Sequence, residues 1–350
     1  MPLVHHLRGG PLVDWITTHC PHLSEAAEAT VQAAQAASTV RPARRWPREH
    51  YAMVGAIVGQ RLADAIEPAP PYPALYGAVL CSALDMAAAG HLACQYPTHR
   101  HTQWSQEQRA AGVHLRPTPT GWWQILPAPT TSGHEDTETL LVRLLEQHRR
   151  AVCRLPLGQL ADPSTEARLV PLYQLLQQLE AIYRGSTRLD ALQQVATTGV
   201  VPVDQRVRED VLQILPHNQR ALQQIRALAG GSADKERLGF AAPVLEPGWA
   251  EADLLVGPHP RGGYTLLDVK TVTTVDFPRV REWLIQTLAY ALLDSTDRWQ
   301  ISRVGLWLPR QGLLVGWQLT ELAATPGSNL TALRQQFTQL AAAVSAEFRL

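Results

Sequence analysis

The residues with the clearest chemical potential are two aspartates and a lysine, Asp253, Asp268 and Lys270, in the C-terminal third of the chain. They sit in two short apolar segments, ADLLVG and YTLLDVK, separated by the loop Pro258 to Gly263. An antiparallel hairpin closed on that loop pairs Gly257 with Tyr264, sets Asp253 opposite Asp268, and sets Glu251 opposite Lys270. Residues two apart on a strand share a face, so all four charged side chains project to one side. Directly opposed Cβ atoms lie about 4.5–5.5 Å apart, and like charges so placed destabilise the pair. A hard divalent cation resolves that repulsion, because Mg²⁺ takes carboxylate oxygens, keeps waters and also binds substrate phosphate. Lys270 would then hold an attacking water or offset charge developing at phosphorus. The competing arrangement is a surface hairpin whose acids flank an ion pair to Lys270. Glu251 serves equally well as that partner or as a metal ligand.

The helix expected next, Pro278 to Leu293, carries an apolar ridge of Val280, Leu284, Leu288 and Leu292. Gln286 and Tyr290, four apart, lie nearly opposite and offer uncharged hydrogen bonds. Together, Asp253, Asp268-Val269-Lys270 and Gln286-x-x-x-Tyr290 resemble the PD-(D/E)xK nuclease superfamily in its RecB-like branch, over residues 240–319. The resemblance implies a restriction-endonuclease-like core and Mg²⁺- or Mn²⁺-dependent hydrolysis of DNA phosphodiesters. By it, Asp253, Asp268 and the carbonyl of Val269 hold the metal, Lys270 positions or activates water, and Gln286 and Tyr290 meet substrate. Many such nucleases add a His or Glu ligand from an upstream helix. Here the alternatives for a further ligand are Glu246, Glu251, Glu209 and His217, while the helix around residues 55–65 offers only Gln60. The iron–sulfur variant needs three cysteines after the Gln-x-x-x-Tyr helix, and none follows Cys153, so no cluster is expected. The alternative from another class is a catalytically inactive nuclease-fold module for DNA binding or complex assembly.

These groups need a sheet to hold them, and at Phe240 the pattern changes to short apolar runs bounded by Gly and Pro. FAAPVLEPGW, ADLLVG and YTLLDVKTV read as three strands, and ISRVGLWL-PRQG-LLVGWQL as a hairpin with Gly312 in its turn. A closing helix spans Asn329 to Phe348. Upstream, helical periodicity marks Ala26–Ala37, Pro47–Ile66, Ala74–Ala89, Glu135–Arg150, Leu169–Tyr183 and Arg206–Leu228, with a short strand at Trp122–Leu126. The expected architecture is therefore α/β. Residues 231–350 form the restriction-endonuclease-like mixed-sheet core, and residues 1–230 a large, mostly α-helical region that guides substrate, binds a protein partner or lends the first core helix.

Composition narrows the alternatives. The chain has 350 residues, with 31 Lys+Arg against 31 Asp+Glu, so no global field draws it to nucleic acid or membrane. Any DNA contact must be local, and the densest basic run, Arg41, Arg44, Arg45 and Arg48 around Trp46, is either such a grip or a charged helix start. Only two basic residues are lysines, Lys235 and Lys270, which singles out Lys270 for ammonium chemistry. No phosphate-cradling G-x-x-x-x-G-K-S/T loop, G-x-G-x-x-G after a strand, or G-x-S-x-G elbow is present, so a nucleotide cofactor and serine hydrolysis are not expected. His91, Cys94, His99 and His101 match no structural zinc spacing and read as solvated loop residues. Four scattered cysteines, no leader-like start and no apolar run of membrane length lead to the expectation of a cytoplasmic protein with no membrane partner.

Overall fold

The computed structural model describes residues 3–100, 117–118, 121–122, 137–186, 190–230, 237–246, 249–260, 262–323 and 329–347. The chain forms two compact units, residues 1–43 with 216–350, and residues 44–215. The first unit opens with α1 (Pro11–His19) and α2 (Leu23–Ala36). The second holds α3 (Arg48–Ile66), α4 (Tyr72–Leu80), α5 (Met86–Cys94), the two-residue strands β1 (Pro117–Thr118) and β2 (Gly121–Trp122), α6 (Thr137–Val152), α7 (Pro163–Tyr183), α8 (Asp190–Thr198) and α9 (Gln205–Ile214). The first unit resumes with α10 (Gln219–Leu228), β3 (Gly239–Ala241), β4 (Val244–Glu246), β5 (Ala250–Glu251), β6 (Leu254–Val256) and β7 (Tyr264–Val269). It ends with α11 (Phe277–Leu292), β8 (Ile301–Leu308), β9 (Leu313–Gln318), α12 (Leu319–Leu322) and α13 (Leu330–Glu347). No helix among the described residues is long and apolar enough to cross a membrane.

The boundary between units differs from the expected division at residue 230. Leu12, Ile16, Leu23 and Ala27 of α1 and α2 share one core with Leu255 and Leu266 of the sheet and with Leu284 and Leu288 of α11, so the first 43 residues fold onto the sheet. At the other end, Arg206–Leu228 is not one helix. Pro216 cannot donate an intrahelical hydrogen bond, and a 3₁₀ turn, Leu215–Asn218, separates α9 from α10 where the units divide. The Ala74–Ala89 helix is likewise two: Ser82 takes φ of 58°, and the Asp85 side chain caps α5 through the Ala88 amide.

The first unit is a mixed α/β layer structure built on a five-stranded sheet in the order β3-β6-β7-β8-β9. Every neighbouring pair is antiparallel except β7 and β8, which are parallel and joined through α11. The β6–β7 register pairs Leu254 with Leu267, Leu255 with Leu266 and Val256 with Thr265, which is the expected hairpin register. Both strands are buried through their centres, as the apolar flanks of Asp253 and Asp268 require. FAAPVLEPGW, by contrast, is not one strand. Ala242 has φ of 45° and precedes Pro243, so the chain turns, β3 joins the main sheet, and β4 pairs with β5 in a separate ribbon. In the β8–β9 hairpin Gly312 lies in the turn as expected, and it takes a left-handed conformation, φ of 57°, that glycine adopts without a Cβ clash. The expected strand Trp122–Leu126 lies, beyond Trp122, outside the described residues, as do Lys235, His101 and residue 135.

Candidate active site

β6 and β7 deliver the two aspartates side by side at the open end of one hairpin. Asp253 precedes β6 by one residue, and the register carried on from Leu254 and Leu267 sets it across from Asp268. Asp268 shares its face with Leu266, whose side chain packs in the core beneath α11, and Lys270 continues that face just beyond the strand. The exposed Asp253 is fixed by its backbone surroundings: its Oδ2 accepts a 2.7 Å hydrogen bond from the amide of Val269. That bond ties the first acid directly to the D-x-K segment. Asp268 is only 3% exposed. Lys270 Nζ lies 2.9 Å from both of its oxygens, donating its hydrogen bond to Oδ1 and ion-pairing with the buried Oδ2, which has no other partner.

α11 supplies the third side of the site. Lys270 Nζ donates to Gln286 Oε1 at 3.4 Å, and Gln286 Nε2 donates to the Tyr290 hydroxyl at 3.4 Å. Gln286 and Tyr290 thus share a face turned toward Lys270, and Tyr290 is 6% exposed. The helix stays close because Val280, Leu284 and Leu288 are fully or almost fully buried, and Asp276 caps its first turn through the Arg279 amide. The result is a hydrogen-bonded chain, Asp268–Lys270–Gln286–Tyr290.

Burial dominates the electrostatics. It pushes the Asp268 carboxyl up to about 6, with the Asp253 charge adding to the rise and the Lys270 ammonium opposing it. Burial works against the Lys270 charge as well, but Asp268 and Asp253 outweigh it, so the ammonium is held above its ordinary range. Burial likewise raises the Tyr290 hydroxyl, keeping it a neutral hydrogen-bonding group. A buried carboxylate facing a second carboxylate, with an ammonium as its only neutralising partner, offers oxygen ligands suited to a hard cation.

Compared with models of protein families, with curated proteins and with solved structures, the chain matches none. The functional case therefore stands on these side chains alone.

The other sequence-level candidates are dispersed. Glu251 lies in β5 opposite Val244, so its expected pairing with Lys270 does not form; the turn at Ala242–Pro243 carries β5 into its own ribbon. Glu246 is exposed at the end of β4, and Glu209 lies on α9 in the helical unit. His217 contacts the Ser38 carbonyl at 3.0 Å, and Gln60 accepts from Gln177 at 2.7 Å. No group of three or more His, Cys, Asp or Glu side chains that could hold a metal ion occurs among the described residues. The basic run divides between units: Arg41 belongs to the sheet unit, whereas Arg44 stacks on Trp46 at 4.2 Å in the helical unit. The lysine-to-α11 hydrogen bonds were missed at the sequence level. The spacing of Gln286 and Tyr290 places them on one face, but which neighbour that face meets depends on how α11 is rotated over the sheet.

Proposed function

We propose that this chain is a metal-dependent nuclease of the PD-(D/E)xK type, with a restriction-endonuclease-like core and DNA as substrate. The observation that carries this reading is the buried carboxylate of Asp268, set across a hairpin from Asp253 and touched at Oδ2 by the Lys270 ammonium alone. Asp253, Asp268 and the Val269 carbonyl would hold Mg²⁺ or Mn²⁺, which supplies positive charge to polarise a phosphodiester and acidify water. The chain's own residues do the positioning. The Val269 amide fixes the Asp253 carboxylate, and Asp268 and Gln286 hold the Lys270 ammonium from two sides. That ammonium can orient a water oxygen for attack on phosphorus and offset charge gathering on the phosphoryl oxygens. In the hydrolysis the new water-derived P–O bond forms as the P–O bond to the leaving sugar oxygen breaks, and that oxygen takes up a proton. Tyr290 stabilises the Gln286 amide and keeps this side of the site free of competing charge.

The test is digestion of linear and circular DNA, with an RNA strand in parallel, in Mg²⁺, Mn²⁺ or EDTA. Wild type, Asp268→Asn and Lys270→Met are compared. Metal-dependent cleavage lost in both variants supports the proposal. Binding of DNA without cleavage in any metal replaces it with a non-catalytic nucleic-acid module. Equal cleavage by all three proteins would refute it.

A further inference from the structure

A second feature of the sheet unit lies one short loop beyond Lys270. A cleft of about 420 Å³ opens between the last turn of α2 and the segment that follows β7, within the ~300–1,000 Å³ range of small-ligand pockets. One wall is Ala34, Thr39 and Arg41, the other is Thr273 and Thr274, and Gln311 lines it between them. Among the described lining residues there is one guanidinium, no carboxylate and no aromatic ring. The Arg41 side chain is exposed, and no hydrogen bond or ion pair engages it among the described residues.

The walls are fixed by a common post, the 3₁₀ turn Pro309–Gln311 between β8 and β9. Val40 exchanges two hydrogen bonds with the fully buried Arg310, from its amide to the Arg310 carbonyl at 2.8 Å and from the guanidinium to its own carbonyl at 3.3 Å. Gln311, 5% exposed, donates to the Val272 carbonyl at 3.1 Å and so holds the opposite wall. The cleft is therefore preorganised on both sides, which lowers the entropy cost of filling it.

We propose that this cleft binds the sugar-phosphate backbone of the substrate strand beside the point of cleavage, with Arg41 on a phosphate. This rests on the nuclease reading and extends it to a strand-positioning site. Thr273 is three residues from Lys270, so at most about 11 Å of extended chain separates the cleft wall from the active site. That is about three nucleotides at the ~3.4 Å rise of a stacked strand. The lining fits backbone more than base: a lone guanidinium and threonine hydroxyls suit phosphate oxygens, while nothing offers a stacking platform. Contact is accordingly insensitive to sequence.

The test is fluorescence anisotropy with a labelled oligothymidylate, on full-length Lys270→Met protein to prevent cleavage. It compares Arg41, Arg41→Ala and Arg41→Lys, with thymidine monophosphate and inorganic phosphate as competitors. The expected result for Arg41→Ala is roughly tenfold weaker binding, with the slope of log affinity against log salt reduced by about 0.7. Arg41→Lys should recover most of the affinity, and neither small competitor should displace the strand at concentrations near the protein's own. Unchanged affinity and slope in Arg41→Ala, with wild type still cleaving DNA, overturns this inference and leaves the nuclease reading standing. Arg41-dependent binding of the monophosphate or of phosphate, with the oligonucleotide unaffected, overturns it in favour of a small-anion site. Failure of the protein to bind the strand at all overturns both.

Discussion

Asp268 is asked to be an anion where water cannot reach it. Its raised value of about 6 against an ordinary ~3.9 means that the folded protein holds this proton more tightly than the unfolded chain does. This group's contribution to stability is therefore fully present below about pH 4 and is lost as pH rises through about 6. Metal binding has the opposite sense, because a cation competes with the proton for the same carboxylate. Titration calorimetry with Mn²⁺ between pH 5 and 8 should show affinity level above about pH 7 and falling toward tenfold per unit below about pH 6. A flat profile would remove Asp268 from the ligand set. Lys270 bears on rate instead. Lys270→Met keeps the aliphatic stem and loses the ammonium, and cleavage should fall by at least ~10²-fold, with far-ultraviolet circular dichroism unchanged; residual activity within a few-fold of wild type would deny the lysine its role.

Elements place these residues, and some placements were legible in the sequence while others were not. The β6–β7 register followed from loop length and alternation, since a slip of one residue would turn Leu255 and Leu266 out of the core. The Glu251–Lys270 pair was not legible, because its failure depends on the positive φ of Ala242, a residue type with no intrinsic preference for that conformation. The Ala74–Ala89 helix failed for a similar reason: Ala-rich composition concealed a cap at Asp85. Close packing between helices is equally invisible in a one-dimensional pattern. In the helical unit, a Cβ on Gly77 of α4 would stand 1.7 Å from the Leu179 carbonyl oxygen of α7. That neighbour is backbone and cannot swing aside. Gly77→Ala should therefore destabilise the protein by about 3 kcal/mol, at the upper end for overpacking, despite the ~1 kcal/mol helix-propensity gain of alanine. The urea midpoint reads this directly, and an unchanged midpoint would mean that the two helices separate at little cost.

At the scale of the molecule, the chain leaves the sheet unit after residue 43 and returns at residue 216, so the helical unit is an insertion within it. Sequence periodicity cannot reveal such a discontinuity, because α1 and α2 look no different from the helices that follow; only their shared core with α11 assigns them. The inserted unit has a polar centre of its own. Arg61 Nε and Nη2 clamp Glu166 at 2.6–3.1 Å, with side chains 1% and 5% exposed, and Glu166 also accepts from the Ala161 amide at 2.7 Å. Nearby, the Tyr173 hydroxyl donates to Asp64 at 2.6 Å. Such a pair gains little over an apolar replacement, yet losing one partner strands a buried charge. Arg61→Met should thus cost about 3–5 kcal/mol by urea unfolding, and hydrogen exchange should quicken most within residues 44–215. Adding Glu166→Leu removes the stranded carboxylate and should recover a substantial part of that loss. If the double variant were as unstable as Arg61→Met or worse, the clamp would be a net source of stability, and the charge-stranding account of it would be wrong.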